Sequence, residues 1–168
     1  MVDAMCKEIQ IRASKFQSQP IETIYLGGGT PSLLSAESLK TLFQSLQTQF
    51  DLSLVKEITL EANPEDVTQE NIDLWLSLGI QRISLGIQSL NDEELKFMNR
   101  NHSAAQSIQS LQLLIQNNIL CISADLIYGS PLKSNQQFKD EIQHLLEMGL
   151  QHLSAYALTV EPKTLLFN

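Results

Sequence analysis

The stretch Arg82-Ile-Ser-Leu-Gly-Ile-Gln88 decides the fold class. Ile83, Leu85 and Ile87 alternate with small or polar residues, so one face of the predicted strand is apolar and the other suits a cavity. Strands that are buried on both faces of a parallel sheet normally form continuous apolar runs. The alternation therefore favours a strand that helices cover on one side only.

Two further predicted strands, 56–62 and 119–127, repeat this alternation. Apolar residues oppose polar ones in both: Ile58, Leu60 and Ala62 against Glu57, Thr59 and Glu61, and Leu120, Ile122, Ala124 and Leu126 against Cys121, Ser123 and Asp125. Strands are also predicted at 21–26 and at 152–159, the latter ending at Glu161-Pro162. The three-to-four-residue spacing of apolar side chains predicts helices around 68–77, 92–98, 104–116 and 134–147. A further helix is predicted through Leu39, Leu42, Phe43 and Leu46. The chain is predicted to open with a helix whose buried face carries Val2, Met5, Cys6, Ile9, Ala13 and Phe16.

Five strands that alternate with helices imply parallel pairing through right-handed crossovers. This pattern is compatible with a doubly wound sheet and with a (β/α) barrel. Polar residues recur at the C-terminal ends of the strands, where barrels carry their ligand sites, and this favours the barrel. The sequence predicts an α/β chain that forms part of a TIM-like barrel, with residues 1–168 as a single domain.

Composition narrows the function classes. The chain of 168 residues has 43% hydrophobic residues and a net charge of −8, which argues against a nucleic-acid surface or an anionic membrane as partner. No apolar run approaches the roughly 18 residues of a membrane span. The two cysteines, Cys6 and Cys121, form neither a metal-ligand spacing nor a disulfide framework, so no metal site and a reducing cytoplasm are predicted.

The stretch Ile24-Tyr-Leu-Gly-Gly-Gly-Thr-Pro31 ends the first strand in bare backbone. It lacks the Gly-Lys-Ser/Thr of a phosphate-binding loop, and Ser32 stands where a dinucleotide fingerprint needs its third glycine. The three glycines form either a simple turn or a loop that a ligand approaches closely. Other polar groups are expected at the same rim: Glu61, Gln88, Asp125 and the segment 156–159.

Each rim residue also has an ordinary structural explanation. Glu61 would orient nearby amides or pair with Arg82, Asp125 would cap a turn, and Gln88-Ser89 would cap the next helix. Arg100 and His102 would lie on a solvated face.

Taken together, however, the rim groups predict a ligand. Carboxylates accept hydrogen bonds from hydroxyls or an ammonium group, glycine carbonyls accept from an ammonium group, and an arginine fork matches a carboxylate. The predicted ligand has an amino group, a carboxylate and vicinal hydroxyls.

Six strings in the chain resemble the radical S-adenosylmethionine family: YLGGGTPSLLS, EITLEANPEDVT, GIQRISLGIQSLNDEEL, NRNHS, DLIYGSP and HLSAYALTVEP. Within that family they are similar to the oxygen-independent coproporphyrinogen III oxidase branch and its relative, the heme chaperone. The resemblance runs from about Ile21 to Pro162. It implies the radical-family type of barrel and S-adenosylmethionine as the ligand of the rim.

The resemblance also implies roles for individual residues. Gly28, Gly29 and Thr30 match the loop that holds the methionyl group. Glu61, Gln88 and Asp125 match contacts to the ribose and the amino-acid part. Arg100 matches the arginine that pairs with the cofactor carboxylate, and Thr159 matches a backbone contact near the adenine.

The chain departs from the family in one respect, because the Cys-x3-Cys-x2-Cys motif that holds a [4Fe–4S] cluster is absent. The expectation is that this chain is the central part of a longer protein, without the cluster-binding strand and the C-terminal region. It is then inactive alone, and whether the parent is an enzyme stays open.

The resemblance implies two function classes. The heme chaperone is the more similar of the two in four short sequences: EANP, QSL, RNHS and SAYALTVEP. A protein of that class binds heme and passes it to client proteins. The alternative is a true oxidase that converts porphyrinogen propionates to vinyl groups. An ordinary metabolic barrel such as an aldolase is the weaker alternative, because no lysine at a strand end is available for a Schiff base.

Overall fold

The structure is a computed structural model that describes residues 1–16 and 19–160. The described residues form six helices: α1 (Val2–Ala13), α2 (Ala36–Gln49), α3 (Gln69–Ser77), α4 (Asp92–Phe97), α5 (Ala104–Gln116) and α6 (Asn135–Glu147). They also form five strands: β1 (Thr23–Leu26), β2 (Glu57–Ala62), β3 (Arg82–Gln88), β4 (Cys121–Tyr128) and β5 (His152–Ala157). Single 3-10 turns follow β1 and β2, at Pro31–Leu33 and Pro64–Asp66.

All five strands are parallel and pair in chain order, β1-β2-β3-β4-β5. A doubly wound sheet reverses its strand order at a switch point, and this sheet has none among the described strands. Because crossovers between parallel strands are right-handed, a sequential order keeps the connecting helices on one face of the sheet. The predicted α/β architecture with barrel-type strand order is confirmed.

The core lies between the outer face of the sheet and the helices. Ile83, Leu85 and Ile87 of β3 are completely buried there, as their alternation predicted. Trp75 of α3 is also fully buried and is among the largest side chains of the core. The opposite face of β3, with Ser84 and Gly86, faces a cleft.

Two predictions about buried residues are wrong in part. Leu120 precedes β4 and is 72% exposed, because residues 117–120 form the turn that ends α5 and Asn118 takes a left-handed φ of 57°. Met5 of α1 and Phe16, which follows the end of α1, were predicted on the buried face of the opening helix, but they are 39% and 42% exposed.

Cys6 of α1 packs against the edge of the core and is only half-buried. The last strand was predicted to reach residue 159, but it ends at Ala157. The predicted strand end at Glu161-Pro162 lies outside the described residues. No helix in the described ranges is long and apolar enough to cross a membrane.

Candidate functional site

A polar cleft of about 220 Å³ lies at the carboxyl ends of the central strands. Its lining combines loop backbone with charged and polar side chains: Gly29, Thr30, Glu61, Ala62, Asn63, Ser84, Gly86, Gln88, Arg100 and Asp125. Side chains at the C-terminal ends of neighbouring parallel strands converge at one rim of the sheet. The strand order therefore brings residues together that are far apart in the sequence.

Glu61 holds the glycine loop after β1. Its Oε2 accepts a hydrogen bond from the backbone N–H of Gly28 at 3.1 Å, and its Oε1 accepts from the hydroxyl of Tyr25 at 2.7 Å. A Cβ on Gly27 would stand 2.6 Å from this carboxylate, so only glycine lets the loop approach so closely. Of the two structural explanations for Glu61, orientation of nearby amides is confirmed.

The pairing of Glu61 with Arg82 is wrong. Arg82 instead contacts Glu57 at 3.3 Å, at the opposite end of β2.

The hydrogen bond between Tyr25 and Glu61, together with partial burial, raises the pKa of Tyr25 to about 12. The Tyr25 hydroxyl therefore remains a donor to Glu61 throughout the ordinary pH range.

Asp125 is the second carboxylate of the cleft. Its two oxygens accept from the Ser84 hydroxyl at 3.3 and 3.1 Å, across the β3–β4 pair, so the turn-cap explanation is wrong. Burial raises the pKa of Asp125, and the bond from Ser84 opposes that shift only in part. A carboxylate in this position would gain from a cationic or hydroxyl-bearing ligand that replaces lost hydration.

Gln88 ends β3 in a conformation that glutamine rarely takes, with φ at 66°. The N–H of Ser89 donates to the carbonyl of Ile87 at 2.8 Å, which closes a tight turn around Gln88. A Cβ on Gly86 would lie 2.9 Å from the Gln88 amide nitrogen, so Gly86 leaves room for this side chain in the cleft. Strain of this kind is common at functional sites.

The prediction that Gln88-Ser89 caps α4 is wrong, because the N-cap of α4 is Asn91. The side chain of Asn91 caps α4 by accepting from the N–H groups of Glu93 and Glu94. Ser89 supports this cap only by accepting from the N–H of Asn91. The Gln88 side chain is thus available to the cleft.

Among the residues that the structure describes, Arg100 supplies the only cationic side chain in the lining of the cleft. Its Nε is buried and has no hydrogen-bond partner in the part of the chain that the structure describes. A buried guanidinium donor without an acceptor is costly, and a ligand carboxylate would satisfy it.

Two polar clusters behind the cleft were not predicted. The His102 side chain is 1% exposed and lies between Glu65 and the carbonyl of Ile87, each at 3.0 Å. The prediction that His102 lies on a solvated face is therefore wrong. Lys133, after β4, is equally buried and contacts Glu94 and Glu141 at 2.5 Å each. Single polar residues give no periodic signal, and their partners lie at least eight positions away along the chain, so sequence reasoning could not pair them.

Six of the eight predicted ligand residues line the cleft together: Gly29, Thr30, Glu61, Gln88, Arg100 and Asp125. Gly28 lines an adjoining, more apolar depression beside Met1, Met5 and Tyr25. Thr159 is exposed, two residues beyond β5, and does not line the cleft. The roles of all eight in binding a ligand stay predictions.

A further question is whether side chains among the same described residues could hold a metal ion. The described residues contain no group of three or more His, Cys, Asp or Glu side chains arranged for a metal ion. The two cysteines, Cys6 and Cys121, are free thiols and are too few to hold a [4Fe–4S] cluster. The ligands of a cluster are therefore not supplied by this chain.

The parallel sheet in chain order, with a polar cleft at the carboxyl ends of its strands, defines an α/β protein of the barrel type. Residues 6–145 match the model of the Radical SAM superfamily, and the chain belongs to that superfamily. Membership implies S-adenosylmethionine and a [4Fe–4S] cluster as cofactors. The family resemblance and the fold expected from it are confirmed.

The relatives narrow the branch. The chain is 35% identical over 167 residues to the heme chaperone HemW of Lactococcus lactis and 37% identical over 158 residues to that of Haemophilus influenzae. These matches cover 99% and 94% of this chain, but only 44% and 41% of the relatives. The chain thus spans less than half of the length of these curated relatives, and the predicted similarity to the heme chaperone is confirmed.

A solved structure agrees with this placement. Coproporphyrinogen III oxidase (HemN) from Escherichia coli, described as a Radical SAM enzyme, superposes with a TM-score of 0.85 at 26% identity. The match covers 95% of this chain and 37% of the oxidase. The archaeal Elp3 of Methanocaldococcus infernus, at 22% identity and a TM-score of 0.75, shares the fold.

Proposed function

We propose that this chain is the S-adenosylmethionine-binding part of a heme chaperone related to oxygen-independent coproporphyrinogen III oxidase. The observation that carries the proposal is the cleft, which joins a glycine loop, two carboxylates and a buried arginine donor with no acceptor among residues 1–16 and 19–160. S-Adenosylmethionine has the complementary groups: an ammonium, a carboxylate and a ribose diol. A cytoplasmic location and transfer of heme to client proteins belong to the same proposal.

Each residue of the cleft has a proposed task in holding the ligand. The Arg100 guanidinium would donate hydrogen bonds to the ligand carboxylate, and Gly28, Gly29 and Thr30 would form the shelf for the methionyl part. A Cβ at Gly28 or Gly29 would meet nothing within 4 Å, so the shelf is open toward a ligand. Asp125 and Gln88 would orient the hydroxyl and amino groups.

Glu61 would act in two ways. Both of its oxygens already accept hydrogen bonds from the first strand and its loop, which fixes the loop before any ligand arrives. A carboxylate has about four acceptor sites, so Glu61 can still accept from a ligand hydroxyl. Thr159 is proposed only as a backbone contact near the adenine.

Bound S-adenosylmethionine supplies, in this superfamily, a carbon-centred radical for hydrogen abstraction. The proposed part of this chain is to bind and orient the ligand, and its described residues contain no group of side chains arranged to hold a cluster. We therefore assign no reaction step to it.

The charge of the cleft favours the chaperone over the oxidase. An oxidase that decarboxylates propionates must hold several substrate carboxylates, and such groups call for cationic partners. In the described part of the chain, Arg100 is the only cation that lines the cleft, and its proposed partner is the cofactor carboxylate. The oxidase remains the second candidate because of its structural similarity over 95% of this chain.

Binding of S-adenosylmethionine tests the site. In the whole protein that contains this chain, loaded anaerobically with its cluster, Arg100→Ala, Asp125→Ala and Glu61→Ala are each expected to weaken binding about tenfold or more, the cost of a lost hydrogen bond to a charged group. Arg12→Ala is the control, because Arg12 lies exposed on α1 in a pair with Glu8. Unchanged affinity in all three cleft variants by calorimetry would remove the assignment.

The choice between chaperone and oxidase needs a second experiment. The same protein is incubated anaerobically with reductant, S-adenosylmethionine and either heme or coproporphyrinogen III. Stable heme binding without porphyrinogen turnover is expected. Formation of protoporphyrinogen IX would establish the oxidase instead.

A further inference from the structure

We propose that His102 is a positioning residue that holds Gln88 in its strained conformation and so prepares the cleft for S-adenosylmethionine. This inference rests on the proposed function for its ligand. Its structural part, the support of the turn at Gln88, rests on contacts within the chain.

The turn at Gln88 needs support because its φ of 66° is costly for a residue with a side chain. Within the turn, the N–H of Ser89 donates to the carbonyl of Ile87. A carbonyl oxygen has two lone pairs and can therefore accept more than one hydrogen bond. The register of β3 and β4 also shifts between Leu85 and Gln88, so the sheet gives the turn little regular support.

His102 contacts this carbonyl as well. Its Nε2 lies 3.0 Å from the Ile87 oxygen, and since a carbonyl can only accept, the contact is a hydrogen bond in the tautomer that has the proton on Nε2. The Nδ1 lies 3.0 Å from Glu65, which fixes the plane of the ring from the other side. The ring therefore clamps the carbonyl whose direction sets the backbone of Gln88.

The other side of the turn has its own anchor. The Ser89 hydroxyl lies 2.6 Å from Glu94 and 3.0 Å from Glu141, and Glu141 also accepts from the N–H of Leu90. Gln88 thus stands between two fixed points, one at residue 87 and one at residues 89–90. Its side chain is held over Gly86 and into the cleft.

His102 does not itself line the cleft, which distinguishes it from the ligand residues. Its side chain is almost fully enclosed, so a direct contact with a ligand is excluded by burial. Its effect on binding must pass through Gln88. This gives the inference a specific signature, because the effect of His102 should depend on the presence of the Gln88 side chain.

The test is a double-mutant cycle in the whole protein, with His102→Ala made in the wild-type and the Gln88→Ala backgrounds. S-Adenosylmethionine affinity is measured by calorimetry, and hydrogen exchange of the Ser89 amide is measured without ligand. His102→Ala is expected to lower affinity about tenfold in the wild-type background and less than about twofold in the Gln88→Ala background. It is also expected to accelerate exchange at Ser89 about tenfold or more, because the turn loses its clamp.

His144→Ala is the matched control, because His144 lies exposed on α6 and outside the cleft. If His102→Ala does not fold, His102→Gln is used in both backgrounds, since a glutamine amide still donates to the carbonyl. This variant is expected to lose affinity about two- to fivefold in the wild-type background and less than about twofold in the Gln88→Ala background.

Equal losses of affinity in both backgrounds, or unchanged exchange at Ser89, would overturn the inference. A wild-type protein that does not bind S-adenosylmethionine would overturn the proposed function instead. The exchange of the Ser89 amide would then still decide whether His102 supports the turn.

Discussion

The hydroxyl of Tyr25 donates a 2.7 Å hydrogen bond to Glu61, and this contact joins the end of β1, just before the glycine loop, to the end of β2. Glu61 in turn accepts from the N–H of Gly28. One carboxylate therefore fixes both the strand and the loop that follows it. The shape of the cleft depends on contacts within the chain before any ligand is bound.

The Tyr25–Glu61 contact predicts a pH dependence of stability. The pKa of Tyr25 is raised from 10.0 to about 12, so in this window the folded protein keeps a proton that the unfolded chain has released. The free energy of unfolding should therefore fall as the pH rises from about 10 to about 12. Denaturant titrations across this range should show the fall in wild type and a smaller fall in Tyr25→Phe. Tyr128→Phe is the control, and identical pH profiles for the two variants would contradict the prediction.

The glycine loop offers a matched pair of substitutions. Gly27→Ala should destabilise the fold by about 1 kcal/mol, because its Cβ would lie 2.5 Å from Tyr25 and 2.6 Å from the Glu61 carboxylate and would displace these side chains from their hydrogen bond. Gly29→Ala should change the free energy of unfolding by less than about 0.5 kcal/mol, since its Cβ would meet nothing within 4 Å and its φ is not left-handed.

Urea denaturation of both loop variants measures these effects. The same Gly29→Ala variant should lower S-adenosylmethionine affinity, since Gly29 is proposed to form the open shelf. A destabilisation of Gly29→Ala as large as that of Gly27→Ala would show that the close approach to Glu61 does not constrain the loop.

The buried carboxyl group of Asp125 leads to a second prediction about pH, because its ionisation in the folded protein lowers the free energy of unfolding. Burial raises its pKa, so the folded protein holds this proton at pH values at which the unfolded chain has lost it. The contribution of Asp125 to stability is then lost as the pH rises through the raised pKa. Asp125→Asn should remove this part of the pH dependence and increase stability at neutral pH. Asp140→Asn, on the exposed face of α6, is the control, and equal stability gains in both variants would contradict the prediction.

The buried cluster of Lys133, Glu94 and Glu141 predicts a large loss of stability when its cation is removed. Hydrogen bonds from Lys133 and Ser89 keep the pKa of Glu94 below its usual value, even though burial acts to raise it. Lys133→Met would leave two buried carboxylates without a cation and should cost about 3–5 kcal/mol.

Lys139→Met, on the exposed side of α6, is the matched control and should be nearly neutral. The combined change Lys133→Met with Glu94→Gln and Glu141→Gln should recover much of the loss in urea denaturation. A loss below about 1 kcal/mol in Lys133→Met would mean that the cluster does not anchor α4 to α6.

The sequence by itself determined the order of elements and the face of each strand. Alternation in β3 placed Ile83 in the core and Ser84 in the cleft, because side chains of a strand point to opposite sides by geometry alone. Local rules also suffice for the helix starts, where Thr68 and Ser103 cap α3 and α5 through their own side chains. Such signals depend on residues within four positions of one another.

The residues at the rim of the cleft could be predicted in part from the sequence. Six predicted ligand residues do converge, because parallel strands in chain order bring their C-terminal ends to one edge. Their partners were beyond prediction, since Glu61 bonds to Tyr25 and Gly28 more than 30 positions earlier. Pairing of that kind depends on strand register, which no local pattern records.

Only the tertiary structure decided which single polar residues are buried. His102 and Lys133 have no periodic neighbours in the sequence that mark them as interior, and each is buried only because acceptors from other segments surround it. The left-handed turn at Gln88 is of the same kind, since no local rule places a glutamine there. A buried charge or a strained residue persists when distant groups compensate its cost, and those groups meet only in the folded chain.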